Sequence, residues 1–113
     1  MTKDYKSLAH DVVKGVGVLG ESEPGVMKAF GLLAAEATKS KALDIKTKEL
    51  MALAIGITSH CDGCVAYHAK KAGQHGATRE EVVETIALAI YMGGGPAAVY
   101  GAEALTAFDQ FSG

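Results

Sequence analysis

Within the stretch HCDGCVAYH, Cys61 and Cys64 stand two residues apart and His68 follows four residues after the second cysteine. Thiolates and an imidazole invite three kinds of chemistry: a dithiol–disulfide cycle, nucleophilic attack by an activated thiolate, and metal ligation. On a helix the three residues fall at i, i+3 and i+7, within roughly 60° of one another about the axis, so they share one stripe. Cysteines one turn apart also lie near the separation a disulfide needs, and reversible Cys61–Cys64 pairing asks for little backbone movement.

The attacking species is the thiolate, and a free cysteine with a pKa of about 8.5 is only a few per cent ionised at pH 7. Lowering that pKa by two units takes about 2.7 kcal/mol, whereas a helix N-terminus usually supplies about 0.3 to 1 kcal/mol. His68, one turn beyond Cys64, can take the proton and hold the thiolate as an ion pair. Cys64 is therefore the better nucleophile candidate and Cys61 the resolving partner. A histidine base often needs an orienting acceptor, and Glu49 is the carboxylate in range. If the segments carrying positions 49 and 68 fold back on each other around residues 59 and 60, position 49 lies opposite about 70, roughly 3 Å along the axis from His68. Periodicity alone fits an exposed Glu49 beside Lys46 and Lys48 equally well.

Competing readings carry less. Zinc could take Cys61 and Cys64 with His60, His68 or His75, but structural zinc sites usually bring a second ligand pair across a longer loop, and none follows here. Haem attachment wants histidine directly after the second cysteine, where this chain has Val65. No metal and no cofactor is expected. The run GGGP at Gly93–Pro96 lacks the spacing and the Lys-Ser/Thr of a phosphate loop and reads as a helix break. Tyr67, Tyr91 and Tyr100 read as packing residues, and His10 and His75 have no evident partner. Asp62, between the cysteines, disfavours the thiolate by like-charge repulsion, and Gly63 either opens room for a substrate or eases the turn.

The elements that must position these groups are helical. Tyr5, Leu8, Ala9, Val12 and Val13 recur at helical spacing, and the glycines of GVGVLGE are expected to break that first helix into a loop. Ser22 ahead of Pro24 predicts a second helix, with Val26, Met27, Phe30, Leu33, Ala34 and Ala37 as its apolar stripe up to Ser40. Asp44 is the expected N-cap of a third helix. SHCD, Ser59 to Asp62, has the form of a start signal for a fourth helix running to about Gln74. The Thr78–Glu81 capping box opens a fifth helix, and Pro96 stands at the first position of a sixth. No alternating strand with a hairpin turn occurs, so the chain reads as one all-α domain of about six helices spanning 1–113.

Composition bounds the rest. The 113 residues suit a single domain, and with seven aromatic residues and fourteen glycines the core must rest on small aliphatic side chains. A formal charge of -2 with no long basic run excludes the electrostatic footprint of a nucleic-acid binder. Charges throughout MTKDYKSLAHDV argue against a secretory signal, and no apolar run reaches membrane-spanning length, so a cytoplasmic location is expected. In that compartment closely spaced cysteines serve metal binding or catalysis more often than bracing. Several helices are apolar on more than one face, more than a chain this short can bury, which points to an oligomer.

The segment LDIKTKEL followed by HCDGCVAYHAKKAGQHGATREEV, Leu43 to Val83, resembles the carboxymuconolactone decarboxylase superfamily, in particular its alkylhydroperoxidase D-like branch. The combination of Glu, CxxC twelve residues on, and His four residues after the second Cys carries the likeness. The resemblance implies Cys64 as peroxidatic thiol, Cys61 as resolving thiol, and His68 with Glu49 as a proton relay. It further implies a small hydroperoxide substrate, a dithiol or a thioredoxin-like or lipoyl electron donor, and an all-helical fold assembled as a homotrimer or homohexamer. Better characterised members of that branch are longer and can carry another histidine between the cysteines, where this chain has Asp62 and Gly63; the relay expected here is either shorter or assisted by His60. Cofactor-free decarboxylase-like chemistry elsewhere in the superfamily, and a non-catalytic zinc-binding or redox-sensing oligomer, are the alternative functions.

Overall fold

The computed structural model describes residues 2–113. Six helices account for its regular structure: α1 (Tyr5–Ser22), α2 (Pro24–Thr38), α3 (Ile45–Thr58), α4 (Asp62–Gln74), α5 (Arg79–Gly93) and α6 (Gly95–Ser112). Among the described residues there is no strand, and no helix is long and apolar enough to cross a membrane. The all-α expectation holds.

Local signals explain most boundaries. The Asp44 carboxylate accepts the Thr47 N–H at 2.8 Å and starts α3. At α5 both halves of the capping box form, Thr78 Oγ1 accepting from Glu81 N–H and Glu81 Oε1 accepting from Thr78 N–H. Asp4 caps α1 through the N–H groups of Lys6 and Ser7. The end of α4 is a Schellman motif: Ala77 N–H donates to the Ala72 carbonyl and Gly76 N–H to that of Gly73, with Gly76 at φ +87°.

Four boundaries differ from the sequence expectation, the start of α4 being described with the thiol motif below. GVGVLGE is helical, because an interior glycine weakens a helix by only about 1 kcal/mol and Asp4 has already nucleated it. The break comes at Glu23, whose successor Pro24 occupies the first position of α2; Ser22 is the last residue of α1. Helix α6 begins at Gly95, one residue ahead of Pro96.

Helices α3 to α6 form the body of the molecule. Residue pairs 56 with 64 and 49 with 68 show α3 and α4 running antiparallel. The core is built largely of small side chains, with Ala66, Ala69, Ala72, Ala97, Ala104 and Ala107 packed around Leu53, Ile57, Val65 and Val82. Small residues let the helices approach closely, and this brings the thiol motif near residues of α1, α3 and α6 at once. Helix α1 lies against α4 and α6, whereas α2 meets only α1 and α3 and buries none of its residues.

Candidate functional site

The two cysteines sit where α3 turns into α4, and the turn is a single hydrogen-bonded device. Cys61 N–H donates to the Gly56 carbonyl and His60 N–H to that of Ile57, the bond pair of a Schellman motif that closes α3. The left-handed position of that motif is filled by His60 at φ +55°, a conformation that usually favours glycine. Its ring stacks on Tyr100 of α6, with centroids 5.0 Å apart and planes 19° apart. His60 is thus engaged with α6.

This turn corrects the expected start of α4. Ser59 is the C-cap of α3, and the fourth helix opens only at Asp62 with Cys61 as its N-cap. The backbone of Cys61 therefore ends one helix while its side chain begins the next, Cys61 Sγ accepting the Cys64 N–H at 3.2 Å. A sulfur at an N-cap faces the positive end of the helix dipole and a free donor, both of which favour a thiolate there. Cys61 and Cys64 are joined as a disulfide, Cα atoms 5.2 Å apart, and both are partly exposed.

Behind them, His68 Nδ1 lies 2.6 Å from Glu49 Oε1. Glu49 is buried at 4% exposure, so its reading as a solvated residue beside Lys46 and Lys48 is overturned. An ionised carboxylate can only accept, so Nδ1–H is the donor and Nε2 is left as the acceptor. This is the logic of an oriented imidazole base: a buried carboxylate selects the tautomer and stabilises the imidazolium that forms. Cys64 and His68 occupy the same face of α4 one turn apart. The four residues singled out from the sequence, Glu49, Cys61, Cys64 and His68, are thus brought together around the α3–α4 hairpin.

Two glycines set how closely the motif is enclosed. A Cβ on Gly56 would stand 3.1 Å from Cys64 Cβ, so α3 passes directly behind the second cysteine. A Cβ on Gly63 would stand 2.8 Å from Val12 Cγ2. The space left by Gly63 is filled by α1, which answers the choice between substrate room and an eased turn: the glycine admits Val12.

The sequence reading missed a polar cluster beside the motif. Lys3 Nζ is 2.8 Å from Asp62 Oδ2 and 2.7 Å from Glu103 Oε1, and Tyr5 Oη donates to Glu103 Oε1 at 2.5 Å. Lys3 first and Tyr5 second hold the buried Glu103 below the usual carboxylate range. Burial, then the bond to Glu103, pushes the Tyr5 phenol well above its ordinary value. Lys3 and Glu103 are a hundred residues apart in sequence, and no local pattern joins them. Of the remaining candidates, His10 and His75 are exposed, Tyr91 is exposed and not packed into this chain's core, and Tyr67 lies edge-on to His68 with Lys71 Nζ 5.6 Å above its ring. Among the described residues, no three of His, Cys, Asp and Glu gather as a metal site would require.

The carboxymuconolactone decarboxylase family model matches residues 24–107. An uncharacterized protein of Cupriavidus necator is 40% identical over 112 residues, covering 99% of both chains. The crystal structure of an apo carboxymuconolactone decarboxylase family protein from Legionella pneumophila superposes with a TM-score of 0.93 at 42% identity, covering 96% of this chain and 97% of that one. A family member from Thermotoga maritima, for which involvement in an antioxidative response has been suggested, gives a TM-score of 0.83 at 26% identity over 92% and 89% of the two chains. With the family model spanning most of the chain and the fold matched nearly end to end, this protein belongs to the carboxymuconolactone decarboxylase family.

Proposed function

We propose that this protein is a thiol-dependent oxidoreductase of the alkylhydroperoxidase D-like type, reducing small hydroperoxides by a Cys61–Cys64 dithiol–disulfide cycle. The family includes decarboxylases and alkylhydroperoxidases, so the choice between them rests on the site. The observation that carries the redox reading is the hydrogen bond from His68 to the buried Glu49, one turn behind a CxxC pair closed as a disulfide.

In the cycle, His68 Nε2 takes the Cys64 proton and Glu49 stabilises the imidazolium. The Cys64 thiolate attacks the terminal peroxide oxygen; an S–O bond forms, the O–O bond breaks, and the alkoxide leaves as the alcohol on taking the proton from His68. The Cys61 thiolate, favoured at its N-cap, then attacks the sulfenic sulfur, the S–S bond forms, and the hydroxyl leaves as water with the proton that Cys61 gave up. The net change is two thiols and one hydroperoxide to one disulfide, one alcohol and one water. A dithiol, in the form of a thioredoxin-like or lipoyl donor, returns the pair to the reduced state by thiol–disulfide exchange.

The test is a peroxide assay with a regenerating dithiol on wild type, Cys61→Ser, Cys64→Ser, His68→Ala and Glu49→Gln. Turnover is expected to vanish in both serine variants and to fall by about 10²-fold or more in His68→Ala, the scale of a general-base contribution. Full activity in Cys64→Ser would refute the mechanism.

The same reading includes self-association as a trimer or hexamer. Helix α2 has fifteen residues and none buried, and a helix of that length without packing is marginal in water. Val26, Phe30, Leu32 and Leu33 on α2, with Leu88 and Tyr91 on α5, all lie exposed. The chain's surface of 6761 Å² exceeds the roughly 5,900 Å² expected for a monomer of its mass by about the area one partner contributes to a standard interface. Light scattering should return three or six times the 11.7 kDa chain mass; a monodisperse monomer would refute this part.

A further inference from the structure

Asp62 stands between the two cysteines at the first position of α4, where its charge acts on both thiols. A bare carboxylate there raises the pKa of its neighbours and opposes the stabilisation that the helix N-terminus offers. Lys3 prevents Asp62 from being bare, and the residue is held in place with more care than an exposed lysine ordinarily receives. Its ammonium bridges Asp62 and Glu103 at 2.8 and 2.7 Å. Its backbone carbonyl accepts from Gln110 Nε2 at 3.0 Å, and the same Gln110 accepts the Tyr5 N–H at 2.7 Å. Glu103, in turn, is buried and bonded to Tyr5 Oη. Helix α6 thus grips both ends of the lysine and aims it at α4.

Stability alone gives little reason for the Asp62 arm of this arrangement. The Lys3 and Asp62 side chains are 45% and 40% exposed, and ion pairs of that exposure contribute close to nothing. We propose that Lys3 is a positioning residue for the thiol chemistry: anchored by α6, it neutralises Asp62, so that the cysteines meet an ion pair in place of a carboxylate. The proposal rests on the thiol reading above. Of the other groups near the motif, Glu103 of α6 shares the Lys3 ammonium with Asp62 and is unaltered in every variant, and the rest are engaged elsewhere or uncharged. Glu49 of α3 is bonded to His68 of α4, His60 of the turn is stacked on Tyr100 of α6, and around Val12 the facing side of α1 presents Leu8, Ala9 and Val16.

The test reads the lower thiol pKa of the reduced protein from the pH dependence of alkylation by iodoacetamide. It uses wild type, Lys3→Met, Lys3→Arg, Asp62→Asn and the Lys3→Met/Asp62→Asn double variant. Removing one unit charge from a neighbouring side chain in a water-rich setting moves a thiol by about half a pH unit. Lys3→Met should raise the pKa by that amount, Lys3→Arg should leave it near wild type, and Asp62→Asn should lower it by a similar step. The double variant should return near wild type, because two neutral groups replace a neutral pair. An unchanged pKa in Asp62→Asn or in Lys3→Met would overturn the proposal, and so would a double variant that stays at the Lys3→Met value. Should Lys3→Met loosen the N-terminal segment, the Asp62→Asn arm still decides, since it leaves the Lys3–Glu103–Tyr5 contacts in place. Alkylation needs no peroxide, so failure of the peroxidase reading would appear separately, as absent turnover with the pKa pattern intact.

Discussion

Replacing Gly63 with alanine tests whether α1 closes over the thiol motif. The new Cβ would lie 2.8 Å from Val12 Cγ2, well inside ordinary van der Waals separation, so Val12 or α1 must move by more than half an ångström. Overpacking of this kind costs about 1 to 3 kcal/mol, while exchanging glycine for alanine in a helix returns about 1 kcal/mol. The net effect is a loss of up to about 2 kcal/mol, or up to about 8 °C in Tm for a chain of this size. In a Val12→Ala background the obstruction is gone and only the helix gain remains, so the same substitution should stabilise by about 0.5 to 1 kcal/mol. The assay is urea unfolding of wild type, both single variants and the double variant at one protein concentration, because self-association makes stability concentration-dependent. A change of sign and a coupling of about 1 to 3 kcal/mol between positions 12 and 63 are expected. Additivity of the two substitutions would show that α1 does not rest on Gly63.

Gly15→Ala and Gly17→Ala in α1 should each stabilise by about 0.5 to 1 kcal/mol, since a Cβ at either position meets nothing within 4 Å; thermal unfolding checks this, and a loss at both sites would contradict it. His60→Gly trades relief of the left-handed backbone against the lost stack on Tyr100 and should stay within about 1 kcal/mol of wild type. His60→Val, β-branched at a positive φ, should lose about 2 kcal/mol or more in urea unfolding. The pH dependence follows from Glu103, whose folded pKa is depressed by Lys3 and then Tyr5. The unfolded chain binds the proton first as pH falls, so this contribution is fully present above about pH 4.3 and is lost as pH drops through the lower folded value. Glu103→Gln should therefore flatten the stability profile below that pH, and an unchanged slope would remove Glu103 as a source.

Most of the helical frame was legible because its signals are local. Asp44 and Thr78 announce helix starts through side chains that reach backbone N–H groups three residues away, and the structure uses both. The glycines of α1 misled because a break and a tolerated weakness look alike along the chain; what decides between them is the downstream Pro24 and the upstream cap at Asp4. SHCD misled for a related reason. Its capping pattern competes with the Schellman closure of α3, and the closure prevailed because the Tyr100 ring of α6 supports His60 in a left-handed conformation.

The candidate site divides along the same line. Helical periodicity by itself determined that Cys64 and His68 share a face one turn apart, and a short hairpin turn placed Glu49 within reach, because rise per residue converts sequence distance into length. Whether Glu49 faced His68 or solvent required the rotation of α3 about its axis, which is set by packing of Leu53 and Ile57 into the core and leaves Glu49 buried. The filling of the Gly63 space by Val12, and the neutralisation of Asp62 by a lysine anchored on α6, were decided only by the tertiary structure. Those contacts join residues about fifty to a hundred positions apart, and across such distances only the packing of whole helices determines which side chains meet.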